Sequence, residues 1–165
     1  MTMAVIGIDP GLSGALALYM PDTEALDVRD MPTFVLPKGG TGKRTELDLY
    51  GLAAIIDGWS ALKVRAVVEM VSSSPQMGVA SAFSFGGSYW AARMALAAQF
   101  IPTELVAPQV WKRDLKVPAA KDGARARASA FLPRHAHNWA RAKDDGRAEA
   151  SLIALWAARN MGAAR

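Results

Sequence analysis

The stretch VIGIDPGLSGALAL, residues 5–18, constrains this chain more than any other. Val5, Ile6 and Ile8 form an apolar run of the kind that is buried on both faces of a sheet. The run ends on Asp9 and is stopped by Pro10-Gly11. A second apolar run, VRAVVEM at 64–70, also carries an acid near its end, Glu69. Removing an unpaired carboxylate from water is costly unless a cation, several donors or an opening to water compensates it. Either acid alone fits an ordinary position beyond the strand end, in solvent. Two such acids together point to a site, because ligands of α/β sheets gather at strand ends.

The pattern around these strands predicts the fold class. Residues 14–20 and 25–31 read as two further strands, and their short Gly- or Asp-bearing connections favour an antiparallel meander. The segment PTFVLPKGGTGKR, 32–44, reads as a mobile basic loop. It lacks the spacing of a phosphate-binding Walker loop, since Pro37 stands where the first glycine belongs. Apolar spacing predicts helices over 46–62 and 79–100, with Gly86-Gly87 weakening or kinking the second. A short strand at 104–106 is closed by Pro108. Short helices at 109–115 and 121–131 and a last helix at 145–160 complete the order. The expectation is α/β: a mixed five-stranded sheet, three antiparallel strands and then parallel ones, with helices on both faces. No repeat or linker interrupts the 165 residues, so one domain over 1–165 is expected.

A third acidic site lies in KDDGRAEASLIALW, 143–156. Residues four apart on a helix are separated by about 40° around its axis, so Asp145 and Glu149 share a face, whereas Asp144 and Glu149 are about 140° apart. Leu152, Ile153 and Trp156 continue the Glu149 stripe inward. Asp145 also fits a helix N-cap. Like charges at this spacing repel, which calls for a cation between them. Asp9, Glu69, Asp145 and Glu149 are oxygen donors. With no cysteine in the chain, they suit a hard ion, Mg²⁺ or Mn²⁺. Two such ions can activate water and stabilise a leaving oxygen in phosphodiester hydrolysis. His135 and His137 are a weak zinc signal and read better as a surface turn.

Charge points the same way. The net charge is +4, but residues 1–105 hold 7 Lys/Arg against 10 Asp/Glu, and residues 106–165 hold 12 against 5. A basic C-terminal third fits either a polyanionic partner or a solvated basic surface. No apolar run approaches the roughly 18 residues of a membrane helix, and no secretion signal opens the chain. A cytoplasmic protein, of a bacterial cell or a phage-infected host, is expected.

Four blocks, IGIDPGLSGALAL, VVEM, VAPQVWKRDLKVPAAKDGARARA and DDGRAEASLIALW, resemble the motif blocks of the RuvC Holliday junction resolvases, most closely the shorter phage-type members. The resemblance runs from Val5 to Trp156. It implies an RNase H-like fold, a homodimer on four-way DNA junctions and cleavage with two divalent ions. It assigns Asp9 and Glu69 as the strand acids and Glu149 as the helix acid. Asp145 takes the place of the upstream partner of Glu149; the spacing is four where the family often has three, so Asp144 stays open as the alternative. Lys112 and Lys121 match basic residues that bind DNA and support cleavage, with Arg113, Lys116, Arg125 and Arg127 widening the basic surface. Some cellular members carry an aromatic wedge after the second acid. Here Met70, Val71 and the serines 72–74 follow, and the serines fit a turn or a phosphate contact. Met77, Phe83 and Phe85 remain for the wedge, although Phe83 and Phe85 read better as helix core. The phage-type members also cut other branched DNA. A branched-DNA-binding protein that does not cut is the alternative, and the complete acid set argues against it.

Overall fold

Side chains that alternate along the central strands divide the molecule into two apolar layers. A computed structural model describes residues 3–40, 42–72 and 75–160. Its main sheet has the order β3-β2-β1-β6-β7, built from β1 (Ala4–Asp9), β2 (Ala15–Met20), β3 (Ala25–Asp30), β6 (Val64–Glu69) and β7 (Thr103–Val106). Strands β1, β2 and β3 pair antiparallel, and β6 and β7 continue from β1 in parallel. This is the mixed five-stranded sheet expected from the sequence, with helices on both faces.

One face carries Ile6, Ile8, Leu16, Leu18, Ala66 and Val68, which pack against α1 (Leu49–Ser60) and α2 (Val79–Ala98). The opposite face carries Val5, Ala15, Ala17 and Val67. These meet α3 (Pro108–Asp114), α4 (Gly123–Phe131) and α5 (Asp145–Asn160). Helix α5 crosses β1 and β2, and its Leu152 and Ile153 are fully buried. Each such side chain contributes about 1.5–3 kcal/mol of transfer free energy.

Gly7 explains why α5 lies so close. A Cβ there would stand 2.3 Å from the Ala150 carbonyl oxygen and 2.5 Å from the Ala154 nitrogen. Only a residue without a side chain admits the helix backbone at that distance. Gly146 does the same at the other end of the contact, where a Cβ would meet the Ser13 carbonyl oxygen at 2.5 Å.

The segment after β3 departs from the expectation. The stretch read as a mobile loop forms a separate antiparallel hairpin, β4 (Thr33–Lys38) and β5 (Gly42–Leu47). Thr33, Phe34, Val35 and Thr45 favour the extended backbone, and the glycines supply the reversal, with Gly40 at φ +79°. The helix predicted from residue 46 therefore starts at Leu49, where the Asp48 carboxylate accepts the Gly51 N–H at 2.9 Å. Helix α2 runs through Gly86-Gly87 without a break. Pro108 opens α3, a position its fixed φ suits. Among the described residues no helix is long and apolar enough to cross a membrane.

Candidate metal centre

Strand parity aims both strand acids at the α5 side of the sheet. The parallel register pairs Val5 with Arg65 and Ile8 with Val68, so Asp9 and Glu69 each stand one residue beyond the last pair, on adjacent strands. Asp9 follows Val5 and Gly7 in the alternation, and Glu69 follows Val67, so each side chain turns toward α5. The close contact at Gly7 brings Glu149, one residue before Ala150, into the same space. Asp9, Glu69 and Glu149 each offer an oxygen within 4.8 Å of the others.

These carboxylates repel one another in a poorly hydrated place. Burial, then the fields of Glu149 and Glu69, push the Asp9 carboxyl up to about 7. The Gly11 N–H and the nearby Lys112 charge oppose that shift only in part. Burial also raises Glu69, against a lowering bond from Trp111. A divalent cation would oppose both shifts by favouring the charged carboxylates, and a trio of oxygen donors fits a hard ion.

Helix α3 supplies the remaining parts. The Trp111 indole N–H donates to Glu69 Oε1 at 2.8 Å, and the Lys112 ammonium donates to Glu149 Oε1 at 2.7 Å. Burial works against the Lys112 charge, yet the bond to Glu149 and the fields of all three acids hold its pKa above the ordinary lysine value. Trp111 was not singled out by sequence reasoning. Nothing local to VWK marks it, since the acceptor of its N–H lies on strand β6.

The other candidate residues are distributed as follows. Asp145 lies outside the carboxylate trio, and its Oδ1 accepts the Arg125 Nε–H at 2.6 Å. Each member of the Asp145/Glu149 pair thus has its own side-chain cation. Asp144, 5% exposed, is the capping acid: its carboxylate accepts the Arg141 backbone N–H and both arms of the Arg141 guanidinium. Bonds from Arg141 hold its pKa below the usual carboxylate range. Lys121 is exposed just ahead of α4, and Lys116 is exposed just beyond α3. Arg113 is exposed and paired with Asp114 at 3.0 Å. Arg127, expected to widen a basic surface, instead bonds the Leu115 carbonyl and covers the Phe131 ring.

Two apolar expectations change. Phe83, read as helix core, is 84% exposed on α2. Phe85 is half-buried and rests near Gly11, on the turn that follows Asp9. Of the serine run 72–74, only Ser72 lies within the described residues, and it is exposed.

The RuvC of Thermus thermophilus bound to a Holliday junction substrate superposes with a TM-score of 0.63 over 97% of this chain and 96% of that one, at 18% identity. A second structure of the same protein gives 0.56 over 97% of both chains, at 20% identity. This chain has a RuvC-like fold. No family model and no curated protein sequence matches it. The RuvC likeness is therefore one of shape, and it spans both the sheet that carries the strand acids and the helix that carries Glu149.

Proposed function

We propose that this chain is a structure-selective DNA endonuclease that hydrolyses phosphodiester bonds at four-way junctions and other branched DNA. The observation that carries the reading is the convergence of Asp9, Glu69 and Glu149 at one end of the central strands, on a chain of RuvC-like shape. Extra carboxylates beside DNA repel phosphate unless cations neutralise them, so a carboxylate cluster makes sense for a nuclease and little sense for a pure DNA-binding surface.

Asp9, Glu69 and Glu149 would hold two Mg²⁺ or Mn²⁺ ions, with Asp145 as the fourth acid; such ions supply water activation and stabilisation of the leaving oxygen. The chain's own groups act around them. Trp111 fixes one oxygen of Glu69 and so sets the direction of the other. Lys112 holds Glu149 in place in the free protein and presents an ammonium to an entering phosphate. Arg125 holds Asp145 and, with Lys121, Lys116 and Arg113, meets phosphates further out.

A homodimer is part of the proposal, because resolving a junction takes two cuts. Val79, Phe83, Trp90 and Met94 form an exposed apolar stripe along α2, at the spacing of one helix face. A second copy of the same helix would cover it.

Incubation with an end-labelled four-way junction tests the reading. In Mg²⁺ we expect paired nicks near the crossover; in Ca²⁺ we expect binding without cutting, because the looser coordination of Ca²⁺ disturbs the reaction geometry. Junction binding with no cut in either Mg²⁺ or Mn²⁺ would leave a binding protein instead.

A further inference from the structure

None of the chemistry above uses the hairpin β4–β5, yet its feet stand at the site end of the sheet. Ala15 pairs with Asp9 on one side and with Asp30 on the other. The end of β3 is therefore two strands, roughly 10 Å, across the sheet from Asp9. Asp30 takes two N–H groups of Arg147 from α5, each at 2.6 Å. The Met31 N–H donates to Gly14 at 2.9 Å, and the Asp48 N–H donates to Pro32 at 2.8 Å. The feet are thus tied to the turn after Asp9 and to the helix that carries Glu149.

From there the ribbon runs for six residue pairs, Thr33 with Leu47 to Lys38 with Gly42, a length of roughly 17 Å. Only Leu36, Glu46 and Leu47 are less than exposed. With nearly all of its residues exposed, the ribbon offers both faces to a partner. The outer half carries Lys38, Lys43 and Arg44 and no acid; Glu46, nearer the feet, pairs with Arg44.

Register decides what kind of partner fits. Paired residues share a face, and alternate pairs take opposite faces. Lys38 and Arg44 lie on the face of Phe34 and Leu36, while Lys43 lies on the face of Val35 and Pro37. Cations on both faces of a narrow ribbon do not match one acidic protein patch. They match a groove with phosphates on both walls, and the major groove of duplex DNA admits a two-stranded ribbon. Gly39 and Gly40 carry no side chains, and a Cβ at either would meet nothing within 4 Å.

We propose that the hairpin β4–β5 is a second DNA-binding element, a basic ribbon that enters the major groove of one duplex arm and fixes which arm lies over the carboxylate site. The proposal rests on the branched-DNA reading above, and the test separates the two. The triple variant Lys38→Ala, Lys43→Ala, Arg44→Ala alters exposed positions only, so its melting curve should match wild type. Junction binding in Ca²⁺ is followed by fluorescence anisotropy over a salt series. We expect at least a tenfold loss of affinity at about 0.1 M salt and a slope of log K against log salt shallower by roughly 2 to 3. Separately, Lys43→Cys gives this cysteine-free chain one thiol, and an iron–EDTA reagent attached there should cut within a duplex arm. An unchanged slope and affinity in the triple variant, or cutting confined to the crossover strands, overturns the ribbon while leaving the nuclease reading intact. Failure of the wild-type chain to bind the junction overturns both.

Discussion

The indole of Trp111 and the carboxylate of Glu69, 42 residues apart in sequence, are joined by a buried hydrogen bond of 2.8 Å. The bond commits one lone-pair direction of Glu69 and leaves its second oxygen for a ligand. Replacing Trp111 with Phe keeps most of the packing and removes the donor. We expect a stability loss of about 2 kcal/mol, from a lost bond to a charged acceptor plus a small void. The Mg²⁺ concentration for half-maximal nicking should rise roughly 10-fold. Urea unfolding and a Mg²⁺ titration of nicking measure the two effects, and a purely structural role would leave the second unchanged.

Asp9 gives the free protein a pH dependence of definite sign. Its carboxyl titrates near 7 in the folded chain, against about 3.9 in an unfolded one. The folded state therefore holds a proton that the unfolded state has lost. The stabilising effect of that proton is complete below about pH 4 and disappears as pH rises toward and through 7. Asp9→Asn removes the effect. Without divalent ions, the variant should melt higher than wild type at pH 8, by at least about 3 °C, and the gap should close toward pH 4. Melting curves of both proteins in EDTA across that range give the comparison directly, and titrating groups remote from Asp9 cancel in the difference. Nicking should be absent in the variant at every pH.

Lys112 would compete with a bound ion for Glu149. Lys112→Met deletes a positive charge 2.7 Å from that carboxylate while keeping the length of the stem. We expect tighter Mn²⁺ binding by calorimetry, severalfold, together with slower nicking and weaker junction binding. Looser metal binding in the variant would mean that Lys112 orders Glu149 more than it opposes the ion.

Asp144 and Asp145 should separate cleanly. Asp144→Asn breaks the cap and the Arg141 fork, costing about 1–2 kcal/mol of stability with nicking retained in the folded fraction. Asp145→Asn leaves the cap alone and should abolish nicking while junction binding persists. Thermal melts beside nicking rates distinguish the two outcomes.

Gly7→Ala tests how tightly the helix must dock. The added methyl overlaps the Ala150 carbonyl, so α5 must move outward. Overpacking of this kind costs about 1–3 kcal/mol. The shift also carries Glu149 away from Asp9, so the rise in melting temperature expected of the wild type in Mg²⁺ should shrink or vanish in the variant.

The acids of the trio were legible because each breaks a local rule: Asp9 and Glu69 end apolar strands, and Glu149 sits on the inward stripe of a helix. The order of strands and helices followed from period and punctuation for the same reason. Trp111 was not legible, because its role depends on a partner on another strand and a tryptophan in a helix reads as core. The hairpin was misread because glycines and lysines score as loop, while its strand pairing sets Thr33 against Leu47, Phe34 against Glu46 and Val35 against Thr45. Phe83 was misread because aromatic spacing on a helix reports a stripe and not which side of the molecule the stripe faces. The role of Gly7 was likewise invisible: the residue matters for what passes above it.

Odd-numbered positions along β1 and β6 look toward α5, and even-numbered ones toward α1 and α2. Inserting or deleting one residue within either strand would swing an acid through the sheet into the opposite oily layer, dispersing the carboxylate trio even if the chain still folded. Natural length variation in relatives of this chain should therefore avoid those two strands and collect instead in the ribbon between residues 33 and 47, where an added pair lengthens a lever without turning any ligand around.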